Sequence, residues 1–135
     1  MKLIKEVFKT KLSQSSIEFI ILVRAVLFFS VIFFLVVQKN VEQKELEKET
    51  ILAQNIALSV QNEINTASAA SDGYHRDFKI DENILGKDYD IKIVGDLVAI
   101  STDNVGMAYP IPKVNGAINK GINTIKKQNG KVFLN

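Results

Sequence analysis

Two charged side chains stand inside the longest apolar run of this chain, and they have the clearest chemistry to do. The run is Ile17–Val37, 21 residues broken only by Glu18, Arg24 and Ser30. An ionised group beside hydrocarbon costs about 2.5–3.5 kcal/mol at a helix centre on insertion scales and less near the end, so each charge needs a partner or a route to water. Six residues separate the two. That is about 240° around a helix of roughly 3.6 residues per turn, so they do not share a face and an intrahelical pair is disfavoured. Glu18 has two ways to be accommodated: a cation, or the positive end of its own helix dipole. Arg24 also has two: snorkelling to the headgroups, or a carboxylate on a neighbouring copy.

The other candidates are weaker. His75 is the single histidine, between Tyr74 and Arg76 in an expected loop, and a lone histidine there reads as surface. Asp81, Glu82, Asp88 and Asp90 read as turn and surface carboxylates, with an incidental calcium contact as the alternative. Gly106–Pro112 reads as an anchored loop, with contact to a neighbouring subunit as the alternative. There is no cysteine, so neither a disulfide framework nor a thiolate metal site is available. No HExxH, GxSxG, phosphate-binding glycine loop or CxxC occurs. These residues predict no enzyme activity, no catalytic residue, no metal and no cofactor. Net charge is +2. Lys2, Lys5, Lys9 and Lys11 against Glu6 put +3 on the first 13 residues, leaving −1 on the rest. The basic character belongs to that leader and gives no case for nucleic-acid binding.

The elements that carry these residues follow from periodicity. A 21-residue helix rises about 31 Å, enough for a bilayer core of roughly 30 Å. Positive charge ahead of a first apolar segment favours a cytoplasmic N-terminus, with the remainder translocated outside. The run exceeds the roughly 7–15 apolar residues of a secretory signal, and Gln38-Lys39-Asn40 follows it instead of a small-residue cleavage site. The segment is therefore expected to stay in the protein as a single-pass anchor.

Neither Pro nor Gly occurs between Met1 and Asp72, so the helix is expected to continue, over about Ser15 to Ser71, until Gly73 stops it. Residues 38–49 are charged helix formers. Beyond them Leu52, Ile56, Val60, Ile64 and Ala67, with Ala53 and Ala57 alongside, form an amphipathic stripe suited to packing on a domain.

From Tyr74 the period falls to two. Phe78/Ile80, Tyr89/Ile91/Ile93 and the residues from Leu97 to Thr102 alternate as strands, and Val94-Gly95-Asp96-Leu97 reads as a tight hairpin. Pro110 and Pro112 confine Met107–Pro112 to an edge or a loop. The tail from Ile122 reads either as a short helix and a strand or as a hairpin at Asn129-Gly130, and the hairpin is favoured. Some 60 residues of short strands bury little surface alone, so the sheet is expected to pack on the helical stripe. The expected fold is α+β: a long N-terminal transmembrane/assembly helix packed on a small C-terminal antiparallel β-sheet. Four parts result: a basic leader (1–13), a transmembrane/assembly helix (14–37), an amphipathic helical spine (38–72) and a small β-rich extracytoplasmic domain (73–135).

One junction carries a resemblance. Ser13-Gln14-Ser15-Ser16-Ile17-Glu18-Phe19 resembles the class III signal peptide of archaeal type IV pilin-like proteins, and the long helix that follows is similar to theirs. The resemblance covers about the first third of the chain. It implies cutting by a prepilin peptidase between Ser13 and Gln14, with Ser13 standing where Gly is more usual. It makes Glu18 the fifth residue of the mature chain and the register residue that meets a neighbouring subunit's terminal amine. It also implies the pilin-like "lollipop". It does not call for Arg24, which is left as an inter-subunit or interfacial charge. The function implied is that of a structural subunit, a major or minor pilin or a pseudopilin, of a cell-surface filament with a possible role in adhesion. Its partners would be identical or related subunits, the peptidase and the membrane. The alternative is a monomeric signal-anchored membrane protein that keeps its leader and binds a partner through its external domain.

Overall fold

The computed structural model describes Met1, residues 15–135 and, of residues 2–14, the backbone alone. One helix, α1 (Lys2–Ala69), precedes seven strands: β1 (His75–Ile80), β2 (Asp90–Val94), β3 (Leu97–Ser101), β4 (Gly106–Pro110), β5 (Val114–Gly116), β6 (Gly121–Gln128) and β7 (Lys131–Leu134). The chain divides into two compact units, Met1–Lys44 and Glu45–Asn135. The fold is α+β.

In the second unit the helix buries one face. Ala53, Ala57, Val60, Ile64 and Ala67 are almost completely covered, at the spacings of three and four that keep side chains on one side of a helix. Val60 and Ile64 are among the largest fully buried side chains and supply most of the bulk on this face. Ile80, Ile91, Val98, Ile100, Ile125, Val132 and Leu134 supply the sheet side of the same core. Leu52 departs from the expected stripe: it is 38% exposed, and Ala53 takes the inward position beside it.

The strands form two sheets where one was expected. The larger has the order β1-β6-β7-β5 and the smaller the order β2-β3-β4. The larger also contains a parallel pair, β5 with β7, while every other pairing is antiparallel. The two tight turns fall where expected. Val94 pairs with Leu97 around Gly95-Asp96, with Gly95 at φ 61°. Gln128 pairs with Lys131 around Asn129-Gly130, both at positive φ as a type I′ turn requires. Residues 121–134 are thus a hairpin, without the short helix. Gly106–Pro112 is mainly the edge strand β4, which Pro110 closes without costing a ladder donor.

The helix ends at Ala69, two residues before the expected Ser71. Its last carbonyls are satisfied from the sheet: the Lys127 ammonium donates to Ser68 O at 2.6 Å and to Ala70 O at 2.8 Å. Gly73, at φ 93°, then redirects the chain, and its N–H donates to Lys127 O at 2.9 Å. One lysine therefore closes the helix with both its side chain and its backbone.

Candidate functional site

The first unit presents one long surface. Every residue from Ser15 to Val37 is exposed, so among the described residues nothing buries the phenylalanines, leucines and isoleucines of the run. By length and composition α1 contains a segment able to cross a membrane. The Ser30 hydroxyl, polar amid this surface, donates back to Val26 O at 2.8 Å and so satisfies itself on its own helix. Phe28 and Phe29 stand edge to face with centroids 5.9 Å apart.

Glu18 and Arg24 are both exposed on this helix. Neither makes a salt bridge among the described residues, and their separation around the helix keeps them from pairing with each other. The side chains of Ser13 and Gln14 lie outside the described residues, so nothing here tests the expected cleavage junction.

The second unit holds a polar cluster that the periodicity argument missed. Glu49, only 2% exposed, lies on the face of α1 that continues through Ala53 and Ala57. Its Oε2 accepts a hydrogen bond from Asn104 Nδ2 at 3.3 Å, and Lys87 Nζ stands 3.8 Å away. Its Oε1 has no hydrogen-bond partner among the described residues. Hydrogen bonding from the Thr102 side chain first, then from Asn104, with the nearby Lys87 charge, holds the Glu49 carboxyl below its ordinary value; desolvation opposes them. The Thr102 hydroxyl meanwhile accepts from Val105 N at 3.0 Å and Asn104 N at 3.3 Å, which shapes the β3–β4 turn around the carboxylate. The available signal was position: Glu49 is four residues before Ala53, on the stripe's own line.

The remaining sequence candidates are dispersed. His75 opens β1 and is exposed opposite Lys126, in a strand where a loop was expected. Asp88 pairs with Lys120, whose hydrogen bond and charge lower the Asp88 pKa. The Lys120 ammonium also lies 5.0 Å from the Tyr89 ring centroid. Burial first, then Asp81 and Asp88, raise the Tyr89 pKa. Among the described residues, no three His, Asp or Glu side chains are placed to hold a metal ion. Met107 and Tyr109, on β4, pack half-buried against the core. Gln61 Nε2 ties the end of that strand to the helix, donating to Pro110 O at 2.6 Å.

The chemistry available is therefore of two kinds: charge pairing on an exposed apolar helix, and a buried carboxylate that ties a turn to that helix. No protein-family model, curated protein or solved structure matches the chain.

Proposed function

We propose that the chain is a structural subunit, a major or minor pilin or a pseudopilin, of an archaeal type IV pilus-like cell-surface filament. The observation that carries this reading is the change of surface along α1. Residues 17–37 are apolar apart from Glu18, Arg24 and Ser30 and are exposed on every side, whereas from Glu49 onward one face is buried under strands. An apolar helix left uncovered by the described residues suits lipid first and a bundle of like helices afterwards. The Ser13-Gln14 junction and the carboxylate at Glu18 support the same reading from the sequence side.

In this reading the leader is removed between Ser13 and Gln14, and the helix holds the protein in the membrane with its N-terminus cytoplasmic. It then passes into the filament core, with the β-rich unit outside, where it could meet surfaces or other cells. Glu18 sets register by meeting a cation of its neighbour. The role is structural, with no catalytic chemistry assigned. Glu18→Leu is expected to insert normally and to assemble few or no filaments, as judged by electron microscopy of sheared cell-surface fractions; filaments of normal number and length would contradict the reading. A monomeric signal anchor is favoured by one observation only, the presence of Arg24, which in a lone helix would reach back to the headgroups.

A further inference from the structure

Glu18 and Arg24 are the only charged residues of the Ile17–Val37 run, both are exposed, and one helix cannot bring them together. At roughly 1.5 Å rise per residue they lie about 9 Å apart along the axis. Copies of one chain enter a membrane in the same direction. At equal depth, two such copies set Arg24 level with Arg24 and Glu18 level with Glu18, and like charges repel strongly where the dielectric is low. A relative slide of about six residues, or about 9 Å, brings Arg24 of one copy level with Glu18 of the next.

We infer that Arg24 pairs with Glu18 of a second copy of this chain, and that this pair fixes an axial stagger of about 9 Å between adjacent helices. The complementarity is internal to the run: one acid and one base, on different faces, neither in a salt bridge among the described residues. Because the two copies use different patches, the contact is heterologous. Each copy keeps one unused charge for the next, so the arrangement extends instead of closing as a dimer. The extension into a filament rests on the proposed function, whereas the pair itself requires only parallel helices in one membrane.

The chain has no cysteine, so introduced ones report without background. Full-length copies carrying Ile21→Cys and copies carrying Phe28→Cys, with different tags, would be co-expressed in membranes and oxidised. These positions are seven residues apart, within one residue's rise of the stagger and on the same flank of the charge pair. The mixed disulfide is expected to exceed both like-with-like disulfides. Arg24→Glu should lower its yield about tenfold or more, since it leaves two like charges facing. The Glu18→Arg, Arg24→Glu exchange should restore the yield to within about threefold of the parent. Arg24→Gln, which adds no charge, should also lower it, and alkaline extraction would confirm that each variant is inserted. Predominant like-with-like disulfides, or a yield indifferent to Arg24, would overturn the inference and leave Arg24 a headgroup anchor. An uncut leader would contradict the proposed function alone, because the cross-link is read in the membrane.

Discussion

The Glu49 carboxylate and the Asn104 side-chain amide meet at 3.3 Å across 55 residues of chain. Asn104 belongs to the β3–β4 turn, so this bond and the Lys87 ammonium tie two loops to the point where the helix begins to be buried. A buried carboxylate held by donors and a cation keeps its charge, which makes the tie sensitive to acid.

Stability should fall on acidification with a contribution from Glu49. Its folded-state pKa is lowered from an ordinary 4.5. The contribution is therefore fully present above about 4.5 and is lost as pH falls through the lower folded-state value. Glu49→Gln should lower the melting temperature at pH 7 and flatten the acid limb of stability below pH 4.5, measured by circular dichroism of the full chain in detergent. An unchanged acid limb would remove Glu49 from this role.

Lys127 is expected to matter for packing more than for surface charge. Its ammonium satisfies Ser68 O and Ala70 O at the end of α1. Lys127→Met keeps most of the stem and deletes the donors, at a cost of about 1.5–3 kcal/mol for a charged hydrogen bond. The neighbouring outward residue Lys126, exposed on the same strand, gives the control: Lys126→Met should change denaturant stability by less than about 0.5 kcal/mol.

Gly116 and Gly106 should respond in opposite ways to the same added methyl. A Cβ on Gly116 would lie 1.9 Å from the Leu134 carbonyl oxygen, at a φ of 117°. Strain and overpacking together put Gly116→Ala at about 2–6 kcal/mol of destabilisation. A Cβ on Gly106 meets nothing within 4 Å, and Gly106→Ala should lie within about 0.5 kcal/mol of the parent by urea denaturation.

Local patterns made much of this fold legible in the sequence. Val60, Ile64 and Ala67 fell on one helical face, and Gly95-Asp96 and Asn129-Gly130 marked their hairpins, because each signal is complete within a few residues. Pairing at a distance was not legible. Nothing near His75 says that β1 joins β6 or that β5 runs parallel to β7. That last contact depends on a glycine whose missing side chain matters only because Leu134 arrives beside it. Glu49 was overlooked for a related reason: it sits in a charged segment, and only the burial of its neighbours at four-residue spacing gives it away. Glu18 and Arg24 were legible because an apolar run makes any charge conspicuous.

The central claim, that the apolar helix begins as the cut end of an assembling subunit, is tested most directly by the mass of the protein purified from its native membranes. The account predicts a chain beginning at Gln14, lacking residues 1–13. A mass corresponding to an intact Met1, from protein shown to be fully inserted, would contradict it.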